Sequence, residues 1–106
     1  MARYMVKASY TAEGMRGVLK EGGTGRVAAV EKLIANLGGS VESFFFAFGG
    51  TDAFVIADLP NNTTAAAIGM AVGASGAVAA ETVVLLTPEE IDEAARMTVD
   101  YRPPGA

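Results

Sequence analysis

Lys7 and Asp52 are the groups whose type and setting would suit proton transfer, and Tyr10, Arg26 and Phe46 would join them in holding a ligand. Lys7 falls on a strand face that needs a cover, where a lysine could act as a base or anchor an anion. The plainer reading pairs it with Glu42 or Glu81 at a strand edge. Asp52 follows Gly49-Gly50-Thr51, where bare backbone lets a ligand come close. The stronger reading is structural, since an aspartate beside glycine in a hairpin often accepts hydrogen bonds from turn amides. Tyr10 ends the same strand as Lys7 and could turn its hydroxyl into a pocket mouth, or keep its ring in the core with its tip in water. Arg26 follows Gly22-Gly23-Thr24-Gly25 at a helix start, a run that frees backbone amides for an anion. It matches neither a P-loop nor a dinucleotide fingerprint.

The residue inventory removes much other chemistry. Among 106 residues there is no cysteine and no histidine. Disulfides, thiolate metal sites, cysteine nucleophiles, Ser-His-Asp triads and histidine ligation of zinc or haem are therefore excluded, and no metal or tightly held cofactor is expected. The net charge of −4, with eight scattered basic residues, leaves no footprint for nucleic acid. The acidic run Glu89, Glu90, Asp92 and Glu93 suits a helix's first turn, where acids complement the dipole. The weakly apolar stretch from Thr64 to Leu86 is broken by glycines, Glu81 and Thr82, so no membrane span is expected. The opening Met1-Ala2-Arg3-Tyr4 lacks the pattern of a secretory leader, and the expected setting is cytoplasmic.

Elements must place these groups. Arg3 to Tyr10 alternates as a strand, with Tyr4, Val6, Ala8 and Tyr10 facing the helices. Thr11 caps a short helix to Lys20 that Gly22-Gly23 ends, and Thr24 starts a second with Val27, Val30, Ile34 and Leu37 on one stripe, closed by Gly38-Gly39. Ser40–Phe48 and Thr51–Leu59 form a hairpin across Gly49-Gly50. Thr63 or Asn62 caps a helix toward Ser75, whose small residues Gly69, Gly73 and Gly76 suit close helix packing more than phosphate binding. Val78–Leu86 is the last strand, with Glu81 in need of a partner or water. Thr87-Pro88-Glu89-Glu90 reads as a capping box opening a helix to about Met97, and Tyr101 to Gly105 follows as an extended tail.

Strands and helices in the order β-α-β-β-α-β, with both helices on one sheet face, make an α+β, ferredoxin-like domain spanning residues 1–106, with its core at about 3–97 and a tail at 98–106. The second sheet face stays bare. Ser43-Phe44-Phe45-Phe46-Ala47-Phe48 puts bulky apolar side chains on both sides of its strand, an adhesive surface if left wet. A second copy of the chain is the expected cover, a dimer in preference to a trimer and similar to dimeric α+β barrels. The C-terminal helix folding across that face is the alternative.

The ordering resembles the GYD domain family of small bacterial proteins. The likeness runs from about Arg3 to Met97. It rests on the strand ending in Tyr10, the Gly-Gly…Arg26 segment, Gly38-Gly39 before an aromatic strand, Gly50-Thr51-Asp52 and the Leu85-Leu86-Thr87 exit. The family's Gly-Tyr-Asp motif has Thr51 in place of its tyrosine, so a phenol's role there does not carry over. The resemblance implies the fold and a bacterial origin, and no settled activity. Three functional readings follow. The leading one is a homo-oligomer binding a small organic or anionic ligand in a cleft at the sheet or subunit interface, lined by Lys7, Tyr10, Arg26, Phe46 and Asp52. The second is a cofactor-independent enzyme of the dimeric α+β barrel kind, an isomerase, decarboxylase or monooxygenase, with Lys7 or Asp52 as base. The third is a regulatory or scaffold subunit that acts only by association.

Overall fold

The computed structural model describes every residue from Met1 to Ala106. The elements run β1 (Ala2–Tyr10), α1 (Ala12–Asn36), β2 (Ser40–Phe46), β3 (Ala53–Leu59), α2 (Asn62–Ala74), β4 (Val78–Leu85) and α3 (Pro88–Arg96). The four strands form one antiparallel sheet in the order β2-β3-β1-β4. This is an α+β arrangement compatible with the ferredoxin-like fold, with α3 added. No helix is long and apolar enough to cross a membrane.

Period-two alternation decides which face each strand residue joins. In β3, Ala53, Val55, Ala57 and Leu59 are buried beneath the helices, while Phe54, Ile56 and Asp58 lie half-buried on the other face. β1 follows suit, with Tyr4 and Ala8 buried and Arg3, Met5, Lys7 and Ser9 opposite. The core proper is small and sits at one end of the sheet, where Tyr4, Ile34, Ala57, Leu59 and Ala65 close on one another. The Tyr4 hydroxyl satisfies itself there on Asn62 Oδ1 at 2.5 Å.

Some local expectations hold and others change. The two helices expected on either side of Gly22-Gly23 are present as the two arms of α1, separated at Gly22 (φ 80°, ψ 166°), a conformation only glycine adopts cheaply. The Gly49-Gly50 connection is not a two-residue turn. The strands end at Phe46 and begin again at Ala53, and the intervening loop is closed by Ala47 N–H donating to the Asp52 carbonyl at 2.8 Å. The cap of α2 is Asn61, whose side chain accepts from Thr64 N–H, rather than Asn62 or Thr63. Gly69 and Gly73 face open space and serve no close packing. The capping box at Thr87 and Glu90 forms as read, with Pro88 at the first helical position.

A bulge in β2 decides the fate of its aromatic run. Val41 pairs with Ala57 and Ser43 with Ile56, leaving Glu42 as the extra residue. Phe44 and Phe46 thereby turn to the helix side, their rings 5.0 Å apart, and Phe45 stands 70 % exposed on the other. The open face reads in rows across β2, β3, β1 and β4: Phe45, Phe54, Lys7 and Glu81, then Ser43, Ile56, Met5 and Val83. α3 does not cover it. Every residue from Leu86 to Ala106 is exposed, and α3 makes no extensive contact with any other element. The radius of gyration is accordingly 16.8 Å, against about 13 Å for a compact chain of this length.

Candidate functional site

At the end of the sheet away from the core, the gap between sheet and helices stays open. The cause is a shortage of side-chain volume. The first half of α1 and the second half of α2 line the gap there with Gly14, Gly17, Ala71 and Ser75, which cannot fill the space that Ile34 and Leu59 fill at the other end. Gly14 is required in its own right. A methyl group on it would overlap the Ala77 carbonyl. The β1–α1 corner is stitched to the same point, Thr11 N–H donating to the Ala77 carbonyl at 3.0 Å and Thr11 Oγ1 to the Gly76 carbonyl at 2.9 Å.

The opening has two chambers. The outer, about 510 Å³, is a solvent-facing cleft that includes Glu13 and Glu21. The inner is narrow, about 70 Å³, and thirteen of its fourteen lining residues are apolar, among them Val6, Val30, Phe44, Val55 and Ile68. Arg26 is the exception. Tyr10, Arg26, Leu33, Val72 and Val78 line both chambers and so form the neck between them.

Two hydrogen-bond donors therefore converge at the neck of an apolar chamber. Burial raises the Tyr10 pKa above its usual value of 10.0. Arg26 opposes this by its charge and hydrogen bond, while Asp52 and Glu21 reinforce it. Tyr10 is thus a neutral phenol at physiological pH, able to donate. Arg26 has one ionic partner, Glu21, at a long 3.5 Å and immediately before the Gly22 kink. Asp52 lies behind the phenol, its Oδ2 accepting the Tyr10 backbone N–H at 2.9 Å, while Asp52 N–H donates to the Ala8 carbonyl at 2.9 Å and Ser9 Oγ to the Gly50 carbonyl. The segment Gly50-Thr51-Asp52 thus clamps the end of β1 and sets where Tyr10 stands.

Of the five residues singled out in the sequence, Tyr10 and Arg26 line the cleft and Asp52 holds Tyr10 from behind. Phe46 lies alongside Gly23 and stacks on Phe44, which lines the inner chamber. Lys7 is elsewhere, on the open face, with Glu81 at 4.0 Å. Gly22 breaks α1, so Gly23 to Gly25 open its second arm, with Arg26 in the first turn of that arm. Glu13, Glu21, Leu33 and Val72 escaped notice, and only the pairing of Glu21 with the following glycines could have hinted at its position. No cluster of acidic side chains is placed to hold a metal ion.

The raised pKa gives a pH signature. Folding stabilises the protonated phenol, so this contribution is intact below pH 10 and is lost as pH climbs from there through the folded value. Spectrophotometric titration at 295 nm should show a late-ionising tyrosine that Tyr10→Phe removes. A late-ionising phase that persists in that variant would place Tyr10 in water.

Comparison with known proteins gives one match: a family model described as GYD domain fits residues 4–95. No curated protein and no solved structure matches the chain.

Proposed function

The chain belongs to the GYD domain family, and from its geometry we propose that it is a homodimeric small-molecule-binding protein. The ligand enters between sheet and helices, and the second copy covers the opposite sheet face. The observation that carries the first half is the neck, where Tyr10 and Arg26 aim polar donors at the mouth of a chamber otherwise lined by hydrocarbon. Binding pockets have this composition, mostly apolar with a few convergent polar groups. Binding is favoured over catalysis because the neck holds donors and no base: Tyr10 keeps its proton, and Lys7 lies on the other side of the sheet.

The second half rests on the row Ser43, Ile56, Met5, Val83 and its neighbours Phe45 and Phe54. Strands about 4.8 Å apart and rising roughly 3.3 Å per residue give four strands of seven residues a flat footprint of about 450 Å². Side-chain relief and the projecting α3 enlarge this on each partner toward the roughly 1,000 Å² total that a specific interface needs.

Native mass spectrometry of protein purified from its own host tests the cleft. The expected spectrum shows a retained small molecule that is absent from Val72→Trp, which plugs the neck. Equal ligand retention by both proteins would move the site away from the cleft.

A further inference from the structure

Resting on the cleft reading above, we infer that the ligand is a short-chain monocarboxylate, with its hydrocarbon part in the inner chamber and its carboxylate at the neck between Arg26 and the Tyr10 hydroxyl.

Size, polarity and charge each narrow the class. The inner chamber, about 70 Å³, has room for two or three groups at about 30 Å³ per water-sized volume, so it accepts a short or branched aliphatic end and no sugar or nucleobase. Its walls offer no polar side chain beyond the neck, so an occupant with hydroxyls or amides along its body would find few partners for them. At the neck the protein offers N–H and O–H donors, so the group that stops there is an acceptor.

The acidic side chains set the charge. Glu13 and Glu21 share the outer chamber with the single guanidinium of Arg26. A monoanion can take over Arg26 from Glu21, whose contact is only 3.5 Å and half-exposed, and adds a single negative charge beside the two glutamates. A phosphate or dicarboxylate would bring a second negative charge against two glutamates with no second cation. A primary amine would meet Arg26 at the neck and be repelled. The guanidinium fork also suits a planar carboxylate better than a tetrahedral anion in this confined space.

Titration of the full-length protein by NMR, with 3-methylbutanoate, 3-methylbutanamide, 3-methylbutylamine and inorganic phosphate as separate probes, tests the assignment. The expected result is saturable shifts at Val30, Val72 and Ile68 with 3-methylbutanoate, at least tenfold tighter than with the amide, and none with the amine or phosphate. Arg26→Gln should bring the carboxylate down to the amide's affinity. Tyr10→Phe should weaken the carboxylate severalfold, and Lys7→Gln should change nothing. Amide or amine binding as tightly as the carboxylate, or a carboxylate indifferent to Arg26→Gln, overturns the ligand class and leaves the cleft standing. Absence of shifts at the chamber with all four probes overturns the cleft reading and this inference with it.

Discussion

Met5→Glu is expected to turn the proposed dimer into a folded monomer. Met5 occupies the middle of the open face, flanked by Ile56 on β3 and Val83 on β4. In an isolated subunit the new carboxylate stands in water on a half-exposed strand position, so the fold is retained. In a sheet-to-sheet dimer it is buried against apolar neighbours, and symmetry buries it twice. Burial of an unpaired charge costs several kcal/mol even after relaxation, and about 4 kcal/mol is already a thousandfold in dissociation constant. Circular dichroism should match the parent while sedimentation velocity shows the smaller species. Leu19→Glu serves as the contrast, since Leu19 is 79 % exposed on the helix side. If Leu19→Glu dissociates the dimer and Met5→Glu does not, the interface is on the wrong face.

Leu59→Ala is expected to be the most damaging core truncation. Leu59 is 2 % exposed and lies among Tyr4, Ile34, Ala57 and Ala65, where the sheet and both helices close. Large-to-small changes at such sites cost about 2–5 kcal/mol, the removed transfer energy plus the cavity left behind. For a domain near this size each kcal/mol lowers Tm by roughly 4–8 °C, so a fall of well over 10 °C is expected. Val72→Ala, at the other end of the same layer, should cost only about 1 kcal/mol, because Val72 is half-buried beside an opening that is already unfilled. Parent and variants must be melted at one protein concentration, since dimerisation adds to apparent stability. Equal losses at Leu59 and Val72 would mean that the two ends are packed alike and that no chamber persists in solution.

The fold was legible where the signal is local. Alternation in β1 placed Tyr4 and Ala8 inward, and Thr87-Pro88-Glu89-Glu90 marked α3 because a capping box is written in adjacent residues. The hairpin of β2 and β3 followed from glycines between apolar runs, although the loop proved longer because Asp52 is drawn to β1, a contact made across the sheet. The bulge at Glu42 was invisible for a similar reason: it arises from pairing with β3 and from the ion pair of Glu42 with Arg3 at 2.8 Å, and nothing in Val41-Glu42-Ser43 announces it. That one extra residue decided which phenylalanines face the helices.

The site was half legible. Tyr10 and Arg26 stood out by type and setting, and Arg26 does stand one turn beyond a glycine break, at the start of the second arm of α1. Lys7 and Tyr10 look alike in sequence, but three residues apart on a strand they point to opposite faces. The cleft itself could not be foreseen, because it is made by small residues on α1 and α2 meeting in space. In sequence only the stretch from Gly69 to Gly76 read as close packing, whereas Gly69 and Gly73 touch nothing.

The division of the sheet into a ligand face and a partner face requires that two chains meet through the side the helices leave bare. Sedimentation equilibrium of the full-length protein measures this without labels or substitutions. The expected mass is about twice the 10.8 kDa chain across the micromolar range. A single species at 10.8 kDa that persists to millimolar concentration, with Phe45 and Met5 still in water, would contradict it.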